Sequence, residues 1–530
     1  MKIEKGEAIR TRVIGKACLY LGVSAFVFFL AFCNLDGRLF WGDEAETAVL
    51  AKNVLKFGVP KVDDGVNHVT FNGDKFDASA GGVWTWSPWL QEYIAAGSFA
   101  IFGPTTWAGR APFALVGWMD VVLLGVVAWK IYRSHRVALA SMVLLGTSEI
   151  FLLHIRQCRY YSISVLGEIL FVYGIHQLIT QNRRGIWVAA GALILQFYSN
   201  YIIAAANIPA LIFLAWMLRK RGKRAVLGVA AILGVLLIAM LPWLVYAHPW
   251  GQTNEVGGEK YFPKAWDYLL EFNFHFVPLC FLVLPLFGLI SVRGNGQIIR
   301  QEATPQLEPF ALGLFPLYLA IIVMAPGHFL RYLLPILPVA CLLAAAWVFR
   351  HIKWRMLALL MLAVQCTTNA ISIVTAYPVR GELHHLCSPL LRYAVGITGP
   401  YEDRFTDVLK FLNEQSHPGE TVLTSDPEFP LVFYTHLKII DARFITTTTQ
   451  RLPDWFLPVS ASSVMHQNSD TPPLPDFLEP YYTPVILDVH DSARGDNYPE
   501  PDFHRNQSTA RRAAFIIYKL KTGTQEKTAD

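Results

Sequence analysis

The residues from Leu39 to Pro60 read LFWGDEAETAVLAKNVLKFGVP, and they follow the first long apolar run of the chain, Val13 to Cys33. Three carboxylates in this stretch, Asp43, Glu44 and Glu46, therefore lie directly after a segment long enough to cross a membrane. The apolar run is long and no small-residue cleavage site follows it, so we interpret it as a retained membrane span. The quoted stretch then marks the point where the chain leaves the membrane.

The composition is that of a membrane protein. The chain has 530 residues, of which 53% are hydrophobic and only 16% are charged, and its mean hydropathy is +0.36. The net charge of +5 is small and comes from short basic clusters between apolar runs, which argues against a nucleic-acid partner. We predict eleven membrane spans from apolar length, at Val13–Cys33 and at about 110–130, 137–155, 161–180, 186–199, 201–218, 225–246, 274–292, 309–325, 331–349 and 356–376.

Two details of the span prediction rest on length. The apolar run 186–218 would be about 50 Å long as a single helix, too long for one crossing, so we break it at YSNY, residues 198–201. The segment from Leu90 to Gly103 is apolar but too short for a span, and we expect an interfacial or re-entrant helix there.

The sidedness of the spans follows from the positive charges. With eleven spans, every basic cluster falls on one face, which we expect to be the cytoplasm and which includes the N-terminus. The clusters are Lys2–Lys16, KIYRSH from 130, NRR at 182–184, RKRGKR at 219–224, VRGNGQIIR at 292–300 and RHIKWR at 350–355. The outer face then receives the loop 34–109 and everything after 377.

The composition changes at about residue 378. The helical pattern EDRFTDVLKFLNEQ alternates with strand-like stretches such as ETVLTSD, TPVILDVHD and AAFIIYKL. We therefore predict an all-α polytopic membrane domain over 1–377, with interfacial helices in the loop 34–109, followed by a small extracytoplasmic α/β domain over 378–530.

Two interpretations of the acidic stretch are compatible. In the first, Asp43 is the N-cap of a helix from Glu44 to Phe57, and Glu46 at the third helical position completes a capping box. In the second, Asp43 is a general base or a metal ligand, because a positive helix end holds a carboxylate ionised and able to accept a proton.

The predicted outer face also collects arginines and aromatic residues. An arginine at this depth commonly reaches a lipid headgroup, but a guanidinium fork also binds a phosphate with two hydrogen bonds. Trp84, Trp86, Trp89 and Tyr93 suit stacking on a sugar or anchoring at the membrane interface. The candidate phosphate-binding and substrate-binding residues are Arg110, Arg156, Arg159, Arg331, Tyr160, Tyr161, His328, Trp86 and Trp89.

Three acids, Asp120, Glu149 and Glu168, lie inside predicted spans. Acids within membrane segments are functional candidates by default. We nevertheless expect Asp120 and Glu168 to make hydrogen bonds between helices.

The order of these features resembles the C-type, polytopic glycosyltransferases of family 39, which include the protein O-mannosyltransferases and the lipid A aminoarabinose transferases. The matching stretches are GDEAETAVLAKNVLKFGVP, SPWLQEYIAAGSFAIFGPTTWAGRAPFALVG, HIRQCRYYSISVLG and HFLRYLLPILP. Together they sample most of the first 350 residues.

The resemblance implies an integral enzyme of a bacterial cytoplasmic membrane. Such an enzyme passes a sugar from a polyprenyl phosphate, with inversion, to a hydroxyl of a lipid, glycan or protein on the outer face. By matching, Asp43 is the catalytic aspartate and Glu44 its companion acid, while Arg110, Arg156 and Arg159 lie near the donor phosphate. Tyr160-Tyr161 stands where some relatives have an aspartate, so a second catalytic acid and a divalent metal, with Glu44 as its candidate ligand, stay open.

Two other classes of function remain as alternatives. A transporter or flippase for a polyprenyl-linked sugar would carry charges along a transmembrane path, and we see no inverted repeats with broken spans. A non-catalytic membrane scaffold would not need the acidic pair.

Overall fold

A computed structural model describes most of the chain, with side chains, and it divides the chain into two compact units. Unit 1 comprises Met1–Cys33 and Ala111–Ala394, and unit 2 comprises Asn34–Arg110 and Val395–Asp530. The described residues are 2–70, 73–221, 223–251, 261–283, 307–325, 327–380, 385–424, 429–441, 452–458, 474, 477–491, 497–502, 504, 506–507 and 510–522.

The fold is mainly helical. The first helices are α1 (Lys2–Phe32), α2 (Gly42–Phe57), α3 (Asp74–Asp77), α4 (Leu90–Phe102), α5 (Thr106–Tyr132), α6 (His135–Gly146), α7 (Glu149–Ile155), α8 (Tyr161–Ile179), α9 (Arg184–Ser199) and α10 (Tyr201–Leu218). They are followed by α11 (Lys223–Ala247), α12 (Tyr261–Glu271), α13 (Leu307–Ile322), α14 (Leu337–His351), α15 (Arg355–Thr367), α16 (Ala370–Arg380), α17 (Pro389–Thr398), α18 (Arg404–Gln415) and α19 (Phe429–Tyr434).

The helices of unit 1 include the membrane segments. Within the described residues, six helices are long and apolar enough to cross a membrane, and the number rises to eight if the bent pairs α6 with α7 and α15 with α16 each form one span. The predicted break in the long apolar run is confirmed, because α9 ends at Ser199 and the Asn200 side chain caps α10. The predicted short helix after Leu90 is also present as α4. The predicted span at 274–292 lies partly outside the described residues, and the count of eleven stays a prediction.

Close contact between α8 and α9 depends on glycine. A Cβ atom added at Gly174 would lie 2.6 Å from the backbone nitrogen of Ala189, so a larger side chain would push the helices apart. The buried Glu168 joins α8 to its neighbours, since its Oε2 accepts hydrogen bonds from Gln196 of α9 at 2.8 Å and from Asn207 of α10 at 2.6 Å. The prediction of interhelical hydrogen bonds is therefore confirmed for Glu168.

The same prediction is wrong for Asp120. Its side chain is fully buried in α5, and neither carboxylate oxygen has a hydrogen-bond partner among the residues that the structure describes. The apolar pattern of a span reveals that an acid is buried but not what faces it, because the facing residues come from distant parts of the chain.

Unit 2 contains the predicted α/β fold. Its sheet has five strands, β1 (Thr421–Thr424), β2 (Lys438–Asp441), β3 (Trp455–Leu457), β4 (Tyr482–His490) and β5 (Arg512–Leu520), in the order β2-β1-β3-β5-β4. β1 is parallel to β2 and β3, whereas β5 is antiparallel to β3 and β4. Val408, Leu409 and Leu412 of α18 pack on one face of this sheet. The predicted helix and strands are thus present.

The loop that follows α1 belongs to unit 2 and forms hydrogen bonds with this sheet. The Asn67 amide accepts a hydrogen bond from the backbone nitrogen of Ile439 at 2.7 Å, and it donates to the carbonyl of Leu437 at 3.3 Å. Asn67 therefore satisfies backbone groups at the edge strand β2. The predicted division into a membrane domain over 1–377 and an extracytoplasmic domain over 378–530 stays a prediction.

Candidate active site

The site residues fall into two groups, one in each unit. In unit 2, helix α2 begins at Gly42, its N-cap is Trp41 without a capping side-chain hydrogen bond, and Asp43 is the second helical residue. The prediction of Asp43 as N-cap, with Glu46 completing a capping box, is therefore wrong. Asp43 is half-buried in the first helical turn, where the helix dipole still favours a carboxylate.

The Arg110 side chain binds the segment that precedes α2. The Arg110 Nη1 donates to the carbonyls of Leu35 and Arg38 at 2.9 and 2.8 Å, and Nη2 donates to that of Leu39 at 3.1 Å. These bonds hold residues 35–39 outside the helix, and α2 begins shortly afterwards.

Glu44 completes the coordination of this guanidinium. Its two oxygens accept from Arg110 Nε at 2.8 Å and from Nη2 at 2.7 Å, and the Glu44 side chain is fully buried. Each of the five N–H groups of Arg110 thus has an acceptor within unit 2. This geometry favours a structural role for both residues over phosphate binding by Arg110 and metal binding by Glu44.

A half-buried tyrosine, Tyr434, lies beside this ion pair. The Tyr434 hydroxyl accepts a hydrogen bond from the Phe40 backbone nitrogen at 2.9 Å and lies 2.7 Å from the hydroxyl of Thr106. Burial raises the pKa of Tyr434 to about 12, although the Arg110 guanidinium partly opposes this rise. The hydroxyl therefore stays protonated. Within the described residues, no group of three or more His, Cys, Asp or Glu side chains is arranged to hold a metal ion.

The tryptophans of unit 2 pack the loop before α4. Trp84 is fully buried, and Trp86 and Trp89 pack against its cluster with Leu50 and Val62. The Trp89 indole nitrogen donates to the carbonyl of Trp84 at 2.7 Å. These contacts stabilise the loop, and sugar binding by Trp86 and Trp89 stays a prediction.

In unit 1, the short turn between α7 and α8 carries Arg156 and Arg159. The Arg156 Nη1 donates to the carbonyls of Leu30, Ala31 and Cys33 at 3.1, 3.2 and 2.7 Å. The last carbonyls of a helix lack partners within that helix, and a cation is favourable there. Arg156 therefore caps the C-terminus of α1.

The other arginine of the turn is nearly buried among aromatic rings. Arg159 is 7% exposed, and its guanidinium lies 5.9 Å from the ring centroid of Tyr160. Tyr160 in turn contacts Tyr161, with 4.8 Å between the ring centroids. A charge held at an aromatic, nearly water-free position interacts strongly with an anion that reaches it.

Sequence reasoning missed a buried histidine in the same region. The His154 ring contacts Tyr161 edge-on at 4.7 Å between centroids, and its Nδ1 lies 2.7 Å from the carbonyl of Ile150. Because a carbonyl only accepts, Nδ1 carries the proton and Nε2 presents a lone pair. The signal that could have indicated His154 was its position two residues before Arg156 in HIRQCRYY.

The loop before α14 brings Arg331 to this cluster. Arg331 stacks on the ring of Phe329 at 4.1 Å and is close enough to His154 to act on it electrostatically. The Tyr318 hydroxyl donates to the backbone carbonyl of Tyr332 at 2.8 Å. Arg331 thus interacts with His154, which lies in α7 shortly before the Arg156–Tyr161 turn.

His328 lies on the same loop and has a different set of contacts. Its Nε2 lies 3.1 Å from Oε2 of Glu271, and its ring contacts Tyr268 at 4.2 Å between centroids.

A second residue that sequence reasoning missed is Lys264, on the same helix as Tyr268. Lys264 is buried, and its Nζ donates to the carbonyl of Ala325 at 2.6 Å. The predicted convergence of the acids of unit 2 with the arginines of unit 1 stays a prediction.

Comparisons with known proteins give one matching family model and several similar structures. A family model for dolichyl-phosphate-mannose-protein mannosyltransferases matches residues 87–246. The ArnT structure from Cupriavidus metallidurans bound to undecaprenyl phosphate is 13% identical, with a TM-score of 0.52 over 81% of this chain and 86% of that one. An oligosaccharyltransferase from Archaeoglobus fulgidus in its apo form is 14% identical, with a TM-score of 0.51 over 88% of this chain and 69% of that one. No curated protein sequence matches the chain.

The chain has the fold of the C-type membrane glycosyltransferases. The resemblance inferred from the four sequence stretches is thereby confirmed. The family match and the fold together support a membrane glycosyltransferase.

Proposed function

We propose that the protein transfers a sugar from a polyprenyl-phosphate carrier to an acceptor hydroxyl of a lipid, glycan or protein on the extracytoplasmic face of a membrane. The observation that carries this proposal is the C-type glycosyltransferase fold together with the nearly buried Arg159 and with Arg331, which is close enough to His154 to act on it electrostatically. The ArnT structure with undecaprenyl phosphate supports a donor of this chemical class.

In the proposed reaction, Asp43 accepts the proton of the acceptor hydroxyl. The acceptor oxygen then attacks the anomeric carbon and the bond from that carbon to the phosphate oxygen breaks, with inversion. The bonding electron pair leaves with the polyprenyl phosphate, whose charge is stabilised by cationic side chains. Because Arg110 and the Nη1 of Arg156 are used for structure, we assign this stabilisation to Arg159 and Arg331.

The experiment that tests the base is Asp43→Asn, which keeps the size of the side chain and removes the charge. Membranes containing the protein are incubated with radiolabelled undecaprenyl-phosphate sugars, one hexose and one pentose, and transfer is measured as label that leaves the donor for a new product. Loss of a general base reduces the rate by roughly 10²- to 10⁴-fold. The amount of folded protein should not change, since Asp43 is half-buried and does not cap α2.

The matched control is Asp36→Asn, which neutralises an exposed acid of the same loop. We expect wild-type transfer from this variant. Full transfer by Asp43→Asn would show that Asp43 is not the base.

A further inference from the structure

The segment that follows the bent helix pair α15 and α16 contacts the short helix α7. Arg392 at the start of α17 donates from Nε and Nη2 to the two carboxylate oxygens of Glu149 at 2.9 and 2.6 Å. The Glu149 side chain is only 5% exposed, and Glu149 is the first residue of α7. This is a bidentate ion pair, the strongest geometry available to an arginine and a carboxylate.

The next residue, Tyr393, contacts the C-terminal turn of α1. Tyr393 is fully buried, and its hydroxyl donates to the carbonyl of Leu30 at 2.8 Å. That carbonyl also accepts from Arg156 Nη1 at 3.1 Å. Burial raises the pKa of Tyr393 to about 12, so the hydroxyl keeps its proton and remains a donor.

These contacts hold α7 at both ends. A helix of seven residues has little stability of its own, and α7 is bent by 67° from α6, so it cannot take its direction from that helix. Its first residue is held by Arg392, and Arg156, which follows its last residue, is held at the Leu30 carbonyl beside Tyr393. The turn that carries Arg159 comes directly afterwards.

We propose that Arg392 and Tyr393 are positioning residues that set the conformation of the arginine turn and thereby the affinity for the donor phosphate. This inference rests on the proposed function, because it takes a polyprenyl phosphate as the ligand of that turn. Neither residue needs to touch the ligand. Both act through α7 and the carbonyl of Leu30.

The test measures binding of undecaprenyl phosphate to the full-length protein in nanodiscs, together with KM and kcat for transfer. Arg392→Gln and Glu149→Gln each remove the ion pair, and the double variant measures their coupling. We expect each single variant and the double variant to weaken binding by the same factor, about 5- to 10-fold, because one interaction is lost in each case. KM for the donor should rise by a similar factor while kcat changes little.

Tyr393→Phe is the milder variant, since it removes one hydroxyl and keeps the buried ring. We expect a smaller loss of donor affinity, about 2- to 5-fold, as for a single neutral hydrogen bond. The matched controls are Arg355→Gln and Tyr246→Phe, which alter exposed residues of α15 and α11. Both should bind undecaprenyl phosphate as the wild type does.

The outcomes separate this inference from the proposed function. Failure of the wild-type protein to bind undecaprenyl phosphate would overturn the proposed donor class. Wild-type binding with unchanged affinity in Arg392→Gln and Tyr393→Phe would overturn the positioning role alone. Additive losses in the double variant would show that Arg392 and Glu149 act separately, and this too would contradict the inference.

Discussion

At the scale of single residues, Glu44 and Arg110 belong to a motif that the sequence reveals, but their contacts favour a structural role over the predicted one. The resemblance placed both residues near the chemistry, yet the structure uses both carboxylate oxygens and each guanidinium N–H inside unit 2. Asp43, one residue earlier in α2, is half-buried and remains suited to act as a base. One position along the helix therefore separates a structural acid from the proposed catalytic one.

We predict that Glu44→Gln destabilises the protein. Removal of one partner leaves the Arg110 charge buried and uncompensated, which costs about 3–5 kcal/mol for a buried pair. The measurement is the temperature at which the detergent-solubilised protein loses its monodisperse chromatographic peak. The matched control is Asp488→Asn, which breaks the exposed Arg512–Asp488 pair and should cost at most about 1 kcal/mol. A Glu44→Gln variant that is stable but inactive would instead assign Glu44 to the chemistry.

A second prediction at this scale concerns Arg159. Arg159→Lys keeps the positive charge but loses the planar fork, so it should reduce transfer at least tenfold if the guanidinium binds the leaving phosphate with two hydrogen bonds. The control Arg183→Lys changes an exposed arginine before α9 and should leave transfer unchanged. Equal activity of the two variants would remove Arg159 from phosphate binding.

At the scale of elements, the helix pair α8 and α9 illustrates packing without a side chain at the contact. Gly174 and Gly185 let the two backbones approach, since a Cβ atom at either position would lie under 3 Å from backbone atoms of the other helix. Glu168 and Gln196 then hydrogen-bond across the same pair. Small residues at close helix contacts and polar side chains that hydrogen-bond between helices are the usual means of association in membranes.

We predict that Gly174→Ala destabilises this pair, because the new methyl group would collide with the backbone of Ala189. Overpacking of this kind costs about 1–3 kcal/mol. Gly191→Ala on α9 is the matched control, since a Cβ atom there meets nothing within 4 Å. It should be neutral or stabilising by up to about 1 kcal/mol. Equal thermal stability of the two variants in detergent would contradict the close-contact role of Gly174.

At the scale of the whole molecule, the membrane topology depends on the number of spans and on the side of the membrane that each loop faces. The described residues contain six to eight candidate spans, and the eleven-span prediction rests on apolar length and on the positions of the basic clusters. An odd number of spans with a cytoplasmic N-terminus places the C-terminus outside.

We therefore predict that alkaline phosphatase fused after Asp530 is active, because this enzyme folds only in an oxidising, extracytoplasmic compartment. The same enzyme fused within RKRGKR, residues 219–224, should be inactive, since that cluster is predicted to face the cytoplasm. Activity of both fusions, or of the second alone, would contradict the eleven-span arrangement.

The sequence by itself determined the class of the protein, the positions of most helices, the break at Asn200 and the helix and strands of the α/β region. These follow from apolar length and from periodicity, which are local properties that each segment carries on its own. The resemblance to C-type glycosyltransferases was also readable from four short stretches.

Only the tertiary structure decided the use of the charged residues. It placed Arg110 on Glu44, Arg156 on the C-terminus of α1 and Arg392 on Glu149, and it left Asp120 buried with no hydrogen-bond partner in the described part of the chain. It also showed that His154 and Lys264 are buried. The partners of a buried charge come from residues far away in the chain, and no local pattern identifies them. The pairing energy of a charge depends on distance and burial, which exist only once the chain has folded.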